Sequence, residues 1–389
     1  MPLFIVYFIG ATFLSLFSLC SAVYSQDSAA ETPEAGYLLM FGFRGMTPDA
    51  DFINFIKQGK AKNFILFDRD ITTNGERNIS SPDQVRRLTT SLREAAGEDC
   101  FIGVDQEGGQ VRRLKPQKGF MDLPSAQRMG QGSPHETYEI AGRLGSELRG
   151  LGINLDLAPA LDVDSNPFNP VIGKLGRAFN TDPAKVAEHA LAFGRGLAKN
   201  GVIPVLKHFP GQGCAEKDSH LEPVDISKCW NANTDLKPYA DVFAAGWPGM
   251  VMIGHLSLAE LDPLLPATLS KNIVSGLLRK GLGWEGVVIS DDLEMKAVTE
   301  GRSIKEVMAL ALDAGVDILL FGNNIAYSKK LPETVWNNLQ ELIAEERISA
   351  ERVRESVRRI KTLHAAYRNG ETKVEEPDKI DKNTAQGEK

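Results

Sequence analysis

Eight short apolar, β-rich runs recur along this chain, with stretches of helical periodicity between most of them, and this alternation constrains the fold more than any other feature. The runs are Tyr37–Phe43, Asn63–Phe67, Cys100–Asp105, Ile153–Ala158, Val202–His208, Met250–His255, Gly286–Asp291 and Asp317–Phe321. Most are apolar throughout rather than alternating, as expected of strands buried on both faces. The helical stretches carry their own boundary signals. Ser81-Pro82-Asp83 is a cap-like start, His135–Leu151 holds a further helical stretch, and Asp182–Asn200 opens on Thr-Asp-Pro and stops at Lys199-Asn200-Gly201. Strands and helices alternating in this way predict an α/β chain folded as a single-domain (β/α)8 TIM-type barrel. An open doubly wound sheet is the competing arrangement.

The barrel is predicted to span residues 37–368. Leu331–Tyr367 reads as one or two amphipathic helices that close it, with Ile348, Val353, Val357, Ile360 and Leu363 as the apolar stripe. Residues 369–389 are charged and lack clustered apolar groups, which predicts a disordered tail. At the other end, no charged side chain occurs from Met1 to Gln26, and the first Lys or Arg is Arg44. Residues 1–26 read as a signal peptide cut after Ala22 or as a retained membrane anchor, followed by a linker over 27–36. Either reading places the protein outside the cytoplasm: periplasmic, or anchored and facing out. Any membrane contact is then expected through the N-terminal segment alone.

A net charge of −7 excludes a partner that needs its phosphates neutralised, so no nucleic-acid role is expected. Beyond residues 1–26 three cysteines remain. Cys100 opens a strand-like run and reads as a small buried apolar residue. Cys214 and Cys229 flank a polar loop, and in an oxidising compartment they could clip it; two unpaired thiols are the alternative, since spacing does not prove a bridge.

Chemistry concentrates at the ends of the apolar runs. Asp105, Lys207, His208, His255 and Asp291 each close one, and in a barrel such ends converge on one mouth. A polar group there is costly unless it faces a site or a partner. After Lys207-His208 comes a loop rich in glycine, Phe209-Pro210-Gly211-Gln212-Gly213, and then Asp218-Ser219-His220. A carboxylate beside an imidazole fixes its tautomer and suits it to general acid–base work. Gly103–Arg113 adds a carboxylate, a tight turn and a cation, groups that can share the hydroxyls of a sugar.

These motifs, with Asn169-Pro170-Val171-Ile172-Gly173, Arg177-Ala178-Phe179 and Ser290-Asp291-Asp292-Leu293-Glu294-Met295, resemble in kind and order those of glycoside hydrolase family 3, over roughly residues 37–365. The chain is most similar to the single-domain bacterial β-N-acetylglucosaminidases (β-N-acetylhexosaminidases) acting on cell-wall fragments. The resemblance implies Asp291 as nucleophile, His220 as acid/base, Asp218 as the group orienting His220, and Asp105, Arg113, Arg177, Lys207 and His208 as the sugar-binding set. It implies a retaining, exo-acting hydrolase that takes a small glycoside or muropeptide and needs no cofactor or metal. Asp292 is the rival nucleophile, but neighbours in a strand face opposite ways, so a loop hydrogen-bonding role is expected for it. Gln212 departs from the family pattern, where a second His is more usual.

Alternatives from the same residues are a β-glucosidase or a phosphorylase on this scaffold, a hydrolase using a metal at His208, Asp218, His220, His255 and Asp291, and a non-catalytic sugar-binding protein. Gly281–Gly286 matches GxGxxG but precedes a strand, so a dinucleotide site is not expected. His135, His189 and His364, with Trp230, Trp247 and Trp284, are assigned to packing or surface.

Overall fold

The computed structural model describes residues 34–219 and 221–370. Eight parallel strands form one sheet: β1 Leu39–Phe41, β2 Asn63–Leu66, β3 Phe101–Val104, β4 Leu155–Asp156, β5 Ile203–Phe209, β6 Met250–Ile253, β7 Val288–Ser290 and β8 Leu319–Phe321. They pair in sequence order, and β1 pairs in turn with β8 in the register Leu39↔Leu319 and Met40↔Leu320. A parallel bridge between Ile289 and Ile318 joins β7 to the start of β8, and the ring is closed. Seven strands fall inside their predicted runs and β5 extends one residue past its own, to Phe209; the barrel, not the open sheet, is the outcome. Most strand residues are fully buried, since the sheet is covered by helices outside and filled by side chains inside.

The boundary signals act as predicted. Ser81 accepts from the Gln84 amide ahead of helix Pro82–Ala96. The stretch read as His135–Leu151 is helix Pro134–Gly150, and its start is a capping box of Ser133 with Glu136, a signal not singled out in the sequence. Asp182 caps Pro183–Lys199, which stops before Gly201 at φ 73°. The predicted closing segment is two helices, Leu331–Ala344 and Ala350–Arg368. The second lies under the N-terminal ends of the strands. Its Ser356 hydroxyl donates to Asp317 at 2.7 Å, His364 packs on Phe101 at 5.6 Å, and the Tyr367 hydroxyl donates to the Pro248 carbonyl at 2.9 Å. Val353, Val357 and Ile360 are its buried stripe, with Ile348 buried just before it and Leu363 partly so.

Two local features set up the opposite, C-terminal end. Against β6, Leu206 of β5 pairs with Val251 and Phe209 with Ile253, so Lys207 and His208 together face the single residue Met252. Such a bulge re-aims side chains; here it turns two neighbours toward one space, and the peptide between them is cis. Beyond it, a disulfide joins Cys214 to Cys229 with Cα atoms 5.8 Å apart, resolving the alternative left by the sequence. Cys100 is a buried free thiol, as expected. The predicted leader over 1–26 and nearly all of the predicted tail lie outside the described residues.

Candidate active site

A cavity of about 270 Å³ opens at the C-terminal ends of the strands. Its wall includes Asp105 just past β3, Glu107 in the following turn, Arg113, Arg177, Lys207 and His208 from the β5 bulge, and Asp291 just past β7. Residues separated by nearly 190 positions are brought together because each closes, or follows, a neighbouring strand.

The charged groups hold one another in fixed positions. Lys207 Nζ lies 2.8 Å from Asp105 Oδ1 and 2.6 Å from Glu107 Oε1. Arg177 grips Glu107 as a fork, Nε to Oε2 and Nη2 to Oε1, both at 2.7 Å. Arg113 Nη2 donates to Asp105 Oδ2 at 3.1 Å. Burial alone would raise the Glu107 carboxyl, but Arg177 and Lys207 outweigh it and hold it down at about 2. The same contest leaves Asp105 well below the ordinary carboxylate range, through Lys207 and Arg113. Burial would lower Lys207, yet Asp105 and Glu107 keep it raised and charged.

His208 has a defined tautomer. Its Nε2 sits 3.2 Å from Arg177 Nη2, and a guanidinium has only donors, so Nε2 accepts. Nδ1 therefore carries the proton and donates to Asp162 Oδ2 at 2.8 Å. Beneath this layer the buried Asp156 accepts from the Gln106 amide at 2.9 Å; burial, reinforced by Asp105 and Glu107, raises its carboxyl well above the usual range.

Asp291 and Asp292 both line the cavity, contrary to the expectation from strand alternation, because β7 stops at Ser290 and the pleat no longer separates them. Their partners differ. Asp291 Oδ1 accepts from the Asp292 amide at 2.8 Å. Asp292 Oδ1 accepts from the Glu294 amide at 3.1 Å and the Gly322 amide at 3.2 Å, stitching the loop after β7 to the end of β8. Gly322 is needed there: a Cβ would lie 2.3 Å from Asp292 Oδ2. Burial, with the Glu294 and Asp291 carboxylates close by, pushes Asp292 up to about 8. Asp292 thus has the loop-bonding position expected of it.

The remaining predicted residues fall elsewhere or cannot be placed. His220 lies outside the described residues. Asp218 is half-buried and its carbonyl accepts from the Leu221 and Glu222 amides, while its neighbour Ser219 lines the cavity. His255 is not in the cavity wall. Its Nε2–H donates to the Asp292 carbonyl at 2.9 Å and Nδ1 meets the Thr268 hydroxyl at 2.7 Å, so it supports the loop from behind. His189 stacks on Phe179, and Trp284 on Phe243; Trp247 is buried. Among the described residues no group of three or more His, Cys, Asp or Glu side chains is arranged to hold a metal ion.

Two buried members were not singled out in the sequence. Glu107 sits inside the Asp105–Arg113 motif, and its signal was a second acid two residues after the first. Asp162 follows Pro159-Ala160-Leu161, where the apolar run of β4 continues past its read end at Ala158.

Known proteins match this chain in sequence and fold. The profile of the glycosyl hydrolase family 3 N-terminal domain covers residues 38–363. Beta-hexosaminidase A of Pseudoalteromonas piscicida is 36% identical over 266 residues, which is 62% of this chain and 44% of that protein. Beta-hexosaminidase of Xylella fastidiosa (strain 9a5c) is 33% identical over 296 residues, 73% of this chain and 82% of that one. The structure of a glycoside hydrolase family 3 beta-N-acetylglucosaminidase from Paenibacillus sp. str. FPU-7 superposes with a TM-score of 0.78 at 34% identity, over 88% of this chain and 63% of that one. The chain therefore spans less than half of the first relative and most of the second. With its barrel matched almost end to end, this chain belongs to glycoside hydrolase family 3.

Proposed function

We propose that the protein is a retaining, exo-acting β-N-acetylglucosaminidase that removes terminal β-linked N-acetylglucosamine from peptidoglycan fragments or related glycosides. The observation that carries this reading is Asp291 in the wall of the same cavity as Asp105, Arg113, Arg177, Lys207 and His208. The names of the relatives support the sugar. Asp105 and the cations bonded to it present acceptors and donors to sugar hydroxyls. Asp291 Oδ attacks the anomeric carbon while His220, oriented by Asp218, protonates the glycosidic oxygen. The C–O bond to the aglycone breaks as the bond to Asp291 forms, through an oxocarbenium-like transition state. His220, now neutral, then takes a proton from water, which displaces Asp291 and releases the sugar with its configuration retained. A His in this role adds no fixed negative charge beside the nucleophile.

Asp291→Asn should cut turnover on the order of 10³-fold or more, with the fold intact by circular dichroism. A 2-deoxy-2-fluoro glycoside should label the peptide carrying Asp291 in mass spectrometry. Label on another residue, or none with turnover intact, rejects the nucleophile assignment and favours assistance by the acetamido oxygen. A panel of chromogenic β-glucosides and β-N-acetylglucosaminides, with and without phosphate, separates the glucosidase and phosphorylase alternatives. The Cys214–Cys229 disulfide supports export, since such bonds persist in oxidising compartments.

A further inference from the structure

The loop that runs from the β5 bulge toward His220 is anchored at both ends. At its root the Gln212 amide donates to Asp162 Oδ1 at 2.7 Å, the same carboxylate that holds His208. Asn169 Nδ2 donates to the Gln212 and Gly213 carbonyls at 2.7 and 3.1 Å, and Asn166 Nδ2 to the Ala215 carbonyl at 3.1 Å. The approach is close: a Cβ on Gly213 would lie 1.7 Å from the Val163 carbonyl oxygen. On the return side, the Cys214–Cys229 disulfide and the Trp230 indole, donating to the Pro210 carbonyl at 3.0 Å, bring the chain back to where it left. Between these anchors a side-chain bond crosses the loop. Gln212 Nε2 donates to Ser219 Oγ at 3.1 Å, both residues are buried, and both line the cavity.

We propose that Gln212 is a positioning residue for the proton-transfer step: its carboxamide ties Ser219, the residue that precedes His220 in the sequence, to the floor built by Asp162 and Asn169. This rests on the reading of His220 as acid/base. Ser219 is covalently next to His220, so whatever fixes Ser219 limits where the imidazole can travel. The same Asp162 carboxylate orients His208 and receives Gln212, so the sugar-binding wall and the loop share one anchor. A glutamine at this position does by hydrogen bonding what a mobile loop would have to achieve by closing on substrate, and part of the ordering cost is met before binding.

The test uses two substrates that differ in their need for a proton. The glycosidic oxygen of an N-acetylglucosamine disaccharide must be protonated to leave; 2,4-dinitrophenolate leaves unaided. Since kcat/KM reports only steps through first bond cleavage, Q212A and S219A should lower it about tenfold on the disaccharide and less than about threefold on the 2,4-dinitrophenyl glycoside, general acid catalysis being worth about 10²–10⁴-fold in full. S219T, which keeps the hydroxyl, should restore the disaccharide rate. Thermal melting of each variant separates misfolding from misplacement, and S219A serves if Q212A does not fold. Parallel losses on both substrates, or an unchanged ratio, overturn the proposal while leaving the glycosidase reading in place. A wild-type protein that cleaves neither substrate overturns both.

Discussion

At the scale of single residues, the cations Arg113, Arg177 and Lys207 of the cavity wall are each balanced by a carboxylate. Glu107 is the clearest case. It accepts both fork bonds of Arg177 and lies 2.6 Å from Lys207 Nζ, all three side chains being nearly excluded from water. Removing one partner of such a group strands the others, at a cost of about 3–5 kcal/mol. Glu107→Gln should therefore lower the unfolding free energy measured in urea by an amount near the bottom of that range, and KM should rise as Arg177 and Lys207 lose their orientation. Unchanged unfolding at unchanged KM would show that Glu107 holds neither cation. How legible the residues were in the sequence follows from what each one does. Asp105, Lys207, His208 and Asp291 announced themselves by ending apolar runs, because only a site or a partner makes polarity tolerable there. Glu107 and Asp162 gave no such signal; their work is to hold other side chains, and a partner 46 or 70 positions away leaves no local trace. The Asp291–Asp292 pair failed differently. The pleat argument was sound for a strand, but the strand had already stopped.

At the scale of elements, punctuation was readable and pairing was not. Ser81 and Asp182 cap the helices they were expected to start, since capping is a contact between near neighbours in sequence. The bulge in β5 depends on its register with β6, and the disulfide on a loop path, so neither could be read from spacing alone. The disulfide carries a prediction of its own. Closing a loop of sequence separation 15 removes freedom from the unfolded chain and is worth about 3 kcal/mol in the entropic model. C214S/C229S, or reduction, should lower unfolding stability by about that amount and make the 215–228 stretch the first site of limited proteolysis. Equal denaturation curves for the oxidised and reduced protein would mean that the hydrogen bonds of Asn166 and Asn169 fix the loop without the bridge.

At the scale of the whole molecule, the two ends of the barrel divide the labour. The base is sealed by helix Ala350–Arg368 and by Asp317, whose carboxylate gathers Arg279, Arg352 and Arg359. The top gathers carboxyl groups, and they make stability depend on pH in two directions. Asp105 and Glu107 are depressed, so what they contribute is present above their unfolded values of 3.8 and 4.5 and is lost as the pH falls further. Asp235, Glu294 and Asp292 are raised by burial, to about 6, 7 and 8 respectively. Their contribution is complete below the unfolded carboxylate range and drains away as the pH climbs through the folded values. Stability should then peak at about pH 4, and the urea midpoint should fall from there to about pH 8. Asp235 isolates one part of this. It accepts from the Asn231 amide at 2.8 Å, packs under Gly211, and has a second oxygen with no hydrogen-bond partner among the described residues. Asp235→Asn keeps its shape without the ionisation, and should remove up to about 3 kcal/mol of the decline, taking each pKa unit as about 1.4 kcal/mol. If the variant's midpoint falls with pH as steeply as the parent's, Asp235 ionises freely and the slope belongs to the Asp292–Glu294 pair beside the cavity.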